Sequence, residues 1–143
     1  MKFELIIDKD CDERVTVYAH QKTAITQKLE ELVREHSFEL IGYSGKEAVR
    51  LDICEVYCFV AENSRIYAIT ENEKLLLKCR LYQIEERLGS DWVRLNQSCL
   101  ANIGRIKRFD ASLSGTLKVI FKNGYTDFVS RRQMKNVKER LGL

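Results

Sequence analysis

Proline is absent from this 143-residue chain, and histidine occurs only twice, at His20 and His36. Without proline, and without any Gly/Ser-rich stretch, nothing in the sequence marks a long flexible tether. The length suits one domain, or one domain with a small added module. No apolar run approaches the roughly 20 residues a bilayer-spanning helix needs. The opening Met1-Lys2-Phe3-Glu4-Leu5-Ile6-Ile7-Asp8 lacks the long apolar core of a signal peptide. A cytoplasmic protein is therefore expected.

Metal and cofactor chemistry lack their usual residues. The cysteines (Cys11, Cys54, Cys58, Cys79 and Cys99) are odd in number and contain no Cys-x-x-Cys pair, and both histidines lie far from most of them. Structural zinc sites use tighter pairs. Free thiols in a reducing compartment are the expectation, with neither metal nor cofactor. Cys54 and Cys58 are expected on one face of one strand. Cys99 falls inside a polar loop and is the cysteine best placed for redox chemistry, although packing suits it better. Gly-rich phosphate loops, a Gly-x-Ser-x-Gly elbow and His-Glu-x-x-His are all missing. The pairs Glu30-Glu31 and Glu85-Glu86 fall on solvated helix faces. Enzymatic activity is not expected.

What the chain does have is a lopsided charge distribution. Residues 91–143 carry eleven Lys/Arg against four Asp/Glu, a net of +7, whereas residues 1–90 carry thirteen against seventeen, a net of −4. Such asymmetry is the electrostatic footprint of a polyanion-binding face, nucleic acid first.

The apolar pattern divides the chain near Phe38. Residues 2–8 and 14–20 read as two short strands, the second from the alternation Val15, Val17, Ala19. Residues 23–35 read as a helix, with Ile25, Leu29, Leu32 and Val33 on one side. This strand–strand–helix module is too small to bury a core by itself. It must dock on the remainder or on a second copy. From Phe38 onward, short alternating runs at 38–43, 48–53, 56–61, 65–70 and 75–79 predict strands separated by turn residues such as Glu62-Asn63-Ser64. Leu81, Ile84 and Leu88 predict a short helix, with Gly89 as its C′ residue. A strand at 91–95, a polar loop at 96–102 and a hairpin of 117–122 with 125–129 follow. The hairpin turns on Asn123-Gly124, read as a type I′ turn. Ser130 is placed as N-cap of a last helix whose inner stripe is Met134, Val137 and Leu141. The fold class so predicted is mainly β with few helices.

Two groups of residues carry the candidate chemistry. Arg131 and Arg132 are expected in the first turn of the last helix, beside its positive dipole end, where stability alone favours carboxylates. Two cations there make sense if an anion is to be bound. The alternative is that both are simply solvated. Asn96, Gln97, Ser98 and Asn102 form a polar cluster between Arg94 and the cations Arg105, Lys107 and Arg108. Amides and arginine forks pair bidentately with base edges, and hydroxyls hold phosphates. The alternative is a turn whose side chains satisfy local backbone groups, with Asn102 as an αL or capping residue.

The run Trp92-Val93-Arg94-Leu95-Asn96-Gln97-Ser98-Cys99-Leu100-Ala101-Asn102-Ile103, then Ile106, then Val129-Ser130-Arg131-Arg132, resembles the LytTR DNA-binding domain of bacterial transcriptional regulators. The resemblance covers about 105 of the 143 residues, from Phe38 on, and is most specific in the last 50 or so. It implies an elongated array of short antiparallel strands whose loops enter successive major grooves of double-stranded DNA. Carried over by position, Arg65 in the 62–65 loop, Gln97 and Arg132 become base readers. Ser98, Asn102 and Arg131 become supporting or phosphate contacts, with Arg94 and Asn96 beside them. Two departures matter. Many members have His-Arg before the Ser, where this chain has Asn96-Gln97. Most well-known members also carry a receiver domain, and 37 residues are too few for one. The resemblance therefore implies a stand-alone regulator, with residues 1–37 as a dimerisation element, a homodimer reading direct repeats, and in this class often a small membrane-protein partner. A module that mainly binds such a partner, with weak or lost DNA binding, is the rival reading.

Overall fold

The structure is a computed structural model that describes residues 2–10, 15–37, 39–113 and 115–143. Helix α1 (Ala24–Ser37) comes first. Strands β1 (Leu40–Ser44), β2 (Glu47–Leu51), β3 (Cys58–Glu62), β4 (Arg65–Ile69) and β5 (Lys74–Leu77) follow. Then come helix α2 (Leu81–Glu85), strands β6 (Trp92–Asn96), β7 (Cys99–Asn102), β8 (Ile106–Asp110), β9 (Leu117–Phe121) and β10 (Thr126–Val129), and helix α3 (Met134–Leu141). Single 3-10 turns occupy Ile53–Glu55 and Ile103–Arg105.

Seven strands form one antiparallel sheet in the order β2-β1-β5-β4-β3-β7-β6. The remaining three form a second sheet, β10-β9-β8. The strands β3, β6 and β7 of the large sheet are buried on both faces, whereas β1 and β2 are largely exposed, and the period-two geometry of a strand shows how one sequence serves both faces. In β3, Cys58 and Val60 face one side and Phe59 the other. In β6, Val93 and Leu95 oppose Trp92, and in β7 Cys99 and Ala101 oppose Leu100. The first side packs on Leu117, Val119, Phe121 and Val129 of the small sheet and on Val137 of α3. The second side packs on Leu81 and Ile84 of α2 together with Leu51, Ile53 and Leu75, and there the Phe59 and Trp92 rings stack at 5.1 Å between centroids. Gly42 is fixed by this packing, since a Cβ there would come within 2.7 Å of the Leu75 Cβ.

Several expectations need correcting. Described residues 2–10 and 15–20 form no strand, and Arg14, Cys11 and Phe38 lie outside the described residues. Phe3 is 90% exposed and Tyr18 94% exposed. Alternation alone does not make a strand, because a strand needs a hydrogen-bonded neighbour and a face to bury. Cys54 is not on a strand with Cys58. It sits exposed in the first 3-10 turn, where the Asp52 carboxylate accepts its backbone N–H, while Cys58 is buried in β3. The short helix stops at Glu85 and Gly89 is no left-handed cap; Gly142, with φ of 69°, has that role after α3. The type I′ geometry lies elsewhere than expected. Asn123 keeps a negative φ, Gly124 has φ of 88°, and the Gly124 N–H donates to the Phe121 carbonyl at 2.9 Å. That is a three-residue loop closed by a left-handed glycine. The turn with two positive φ values is Asn63-Ser64, at 50° and 64°, between β3 and β4.

The helix expected at 23–35 is present as α1, opened by reciprocal bonds between Thr23 and Thr26. Ile25 and Val33 of its stripe remain exposed. It reaches the body of the protein where the Ser90 hydroxyl donates to the Glu31 carboxylate at 2.8 Å. The stripe of α3 behaves as expected, with Val137 fully buried and Met134 and Leu141 half-buried beside it.

Candidate nucleic-acid interface

Three chain reversals meet at one end of the large sheet, and backbone hydrogen bonds fix them to one another. The first is Asn63-Ser64, flanked by Glu62 and Arg65. The second is Gln97-Ser98, because Asn96 pairs directly with Cys99 and leaves only these two residues in the β6–β7 turn. The Ala61 N–H donates to the Ser98 carbonyl at 2.8 Å, which joins the first reversal to the second. The third reversal, 130–133, follows β10. The Ser130 N–H donates to the Leu95 carbonyl at 2.9 Å, which joins the third to the second.

The expected polar loop at 96–102 is therefore a tight hairpin, and its residues divide by role. Asn96 is consumed by the fold. Its amide donates to the Asp127 carboxylate at 3.0 Å and to the Phe128 carbonyl at 2.7 Å, and its Oδ1 accepts the Ser98 N–H at 2.8 Å. It thus shapes the turn and ties it to the second sheet. Asp127, its partner, carries no signal in the sequence. Arg94 is held too. Its Nε donates to the Glu85 carboxylate, and its Nη1 to the carbonyls of Asn96 at 3.3 Å and Gln97 at 2.9 Å. Asn102 is buried at the far end of β7, where it caps the second 3-10 turn with a negative φ. Arg105 donates to the Cys54 carbonyl at 2.8 Å and lies over the Tyr57 ring. Gln97 and Ser98 project as exposed side chains.

Cys99 is not in a loop. It is buried in β7, where a hydrogen bond shared with Cys58, reinforced by burial, holds its thiol well above the ordinary range. A protonated buried thiol is a poor nucleophile, which removes the structural basis for a redox role.

The last helix begins at Met134, so Arg131 and Arg132 stand in the turn ahead of it rather than in its first turn. Ser130 caps this turn, its hydroxyl accepting the Gln133 N–H at 3.3 Å. Arg131 and Arg132 are both exposed. Among the described residues Arg65, Arg131 and Arg132 make no ion pair; Glu62, across the strand from Arg65, is bound to Lys74 at 2.6 Å instead. One rim thus presents three unneutralised guanidinium groups around an exposed amide and a hydroxyl. Arginine forks match phosphate and base edges bidentately, and here desolvating them breaks no protein ion pair.

The sequence profile of the LytTr DNA-binding domain matches residues 46–142, more than half of the chain. The chain belongs to the LytTR family. This is a DNA-binding family and not a family of enzymes. Two uncharacterized HTH-type transcriptional regulators of Staphylococcus aureus, from strains MSSA476 and MW2, are each 30% identical over 146 residues, covering 100% of this LytTR chain and 99% of theirs. The LytTr DNA-binding domain of a Bacillus cereus response regulator shares the fold with a TM-score of 0.69 at 19% identity, over 73% of this chain and 97% of that one. The LytTR fold contains no helix–turn–helix among the described residues: α2 ends at Glu85, α3 starts at Met134, and five strands lie between. No helix among the described residues is long and apolar enough to cross a membrane.

Proposed function

We propose that this LytTR chain is a sequence-specific transcriptional regulator that inserts the turns 62–65, 97–98 and 130–132 into successive major grooves of double-stranded DNA. Arg65, Gln97 and Arg132 read base edges, and Ser98 and Arg131 hold phosphates. Arg94 and Asn96 shape and brace the 97–98 turn, and Asn102 braces the opposite end of β7. The observation that carries this reading is the convergence of the three reversals on one rim, with Arg65, Arg131 and Arg132 making no ion pair among the described residues. A B-DNA major groove is about 12 Å wide and admits a two-stranded hairpin, so a reading helix is unnecessary.

An electrophoretic shift with the DNA upstream of the protein's own gene tests the reading, repeated across several salt concentrations. Three to five neutralised phosphates give a slope of log K against log salt of about −2.7 to −4.5. A flat response would contradict it and favour a module that binds a membrane or regulatory protein instead.

Residues 1–37 form the second part of the proposal, as an element that pairs two copies, with 38–143 as the DNA-binding unit. The apolar Phe3, Leu5, Ile6, Ile7 and Tyr18 are exposed in one copy, as are Ile25 and Val33 of α1. Exposed apolar surface on this scale commonly marks an interface. Two copies so joined would read direct repeats. In sedimentation, Ile25→Glu with Val33→Glu should convert a dimer to a monomer and weaken binding to a two-site duplex far more than to a single site. Unchanged mass and unchanged two-site binding would remove the dimer from the proposal.

A further inference from the structure

Beside the reading rim, α2, β6 and α3 border an open cleft of about 300 Å³, at the small end of the range for small-molecule sites. Its lining has two characters. Leu88 and Trp92 supply an apolar wall, and Trp92, although only 5% exposed, is the chain's single tryptophan. Glu85, Arg94, Asn136 and Arg140 supply polar groups, together with Gln133 of the third reversal. Arg140 donates to the Ser90 carbonyl and makes no ion pair among the described residues. The cleft therefore holds two guanidinium groups against one carboxylate.

Arg94 gives this cleft a route to the rim. Its guanidinium touches Glu85 on the cleft side and the carbonyls of Asn96 and Gln97 on the other. An anion that competes with Glu85 for Arg94 would draw the same group away from the turn that carries Gln97. We propose that this cleft is an effector site for a small carboxylate with an apolar body. Its carboxylate is held by Arg140 and Arg94, its body lies against Leu88 and Trp92, and its binding weakens the protein's grip on DNA. The regulatory half rests on the proposed function; the binding half does not.

Benzoate is the probe and the fluorescence of Trp92 the readout, on the full chain. The expected result is a saturable change that inorganic phosphate does not produce. Arg140→Ala should raise half-saturation about tenfold, the equivalent of 1.4 kcal/mol. Asn136→Phe, which fills the cleft from the exposed side of α3, should abolish the response while leaving operator binding without benzoate unchanged. It keeps the test decisive even if Arg140→Ala unfolds. Benzoate should then lower operator affinity of the wild type but not of Asn136→Phe. A linear, non-saturating signal, or one identical in both variants, overturns the site. Equal saturation by phosphate overturns the carboxylate assignment and makes the cleft a DNA-phosphate contact. Saturation with no change in operator affinity overturns the coupling through Arg94. If no operator is bound at all, the proposed function fails, and the fluorescence result still decides the site.

Discussion

Asn102→Ala should destabilise the fold by roughly 2–4 kcal/mol while leaving sequence preference intact in the molecules that remain folded. Asn102 lies at the joint between the strand ends of β3 and β7 and is 9% exposed. Its amide donates to the Val56 carbonyl at 2.9 Å, and its Oδ1 accepts the Gly104 N–H at 3.2 Å. Its backbone N–H donates to the Tyr57 carbonyl at 2.9 Å, which keeps the residue in place even after truncation. Alanine would leave the Val56 carbonyl without its side-chain donor and the Gly104 N–H uncapped, and each abandoned group costs about 1–3 kcal/mol. Asn102→Asp should be no milder. It keeps the acceptor for Gly104 but turns a carboxylate oxygen toward the Val56 carbonyl in a buried place. Urea unfolding gives the stability, and competition between an operator and a scrambled duplex gives the preference. Wild-type stability with lost preference would make Asn102 a DNA reader instead of a brace.

Much of this architecture was legible because burial and period agree. Leu117, Val119 and Phe121 alternate inward as the pattern requires, and α3 buries the side that its spacing marks. The failures have identifiable physical causes. β7 offers no alternation, since Cys99, Leu100, Ala101 and Asn102 are all buried, so its sequence reads as an extension of the polar turn before it. β8 is disguised by a register irregularity between Ile106 and Arg108, which places Lys107 and Arg108 side by side and spoils the period of two. The N-terminal runs show the converse, a strand pattern with no neighbour to pair with.

The candidate site was legible in composition and not in geometry. Charge counting located the basic region, but four of its polar residues are committed to the protein: Arg94 to Glu85, Asn96 to Asp127, Asn102 to Val56 and Arg105 to Cys54. These partners lie from 9 to 51 positions away in sequence, so no local pattern could separate a brace from a reader. What distinguishes Gln97, Ser98, Arg131 and Arg132 is exposure at a tip, which only the fold assigns.

Arg132→Ala should weaken binding to the operator by about 1–3 kcal/mol, the worth of one bidentate base contact. Binding to scrambled DNA should hardly move, because one cation among the eleven in residues 91–143 is a small part of the electrostatic attraction. The thermal melt should stay close to wild type. Arg132 is exposed, and its turn is held by backbone and Ser130 contacts that the substitution spares, including the Ser130 N–H to the Leu95 carbonyl at 2.9 Å and the Met134 N–H to the Arg131 carbonyl at 3.4 Å. Arg132→Lys should recover little of the loss, since a single ammonium cannot reproduce the fork that matches guanine O6 and N7. Arg131→Ala should instead weaken operator and scrambled duplex alike and reduce the salt slope by about 1, as a lost phosphate contact does. Both arginines leave the same turn one residue apart, so the pair of variants controls for any general effect of removing charge there. If Arg132→Ala retains full operator affinity, or loses it equally on both duplexes, Arg132 is not a base reader and the 130–132 turn serves only to hold the backbone.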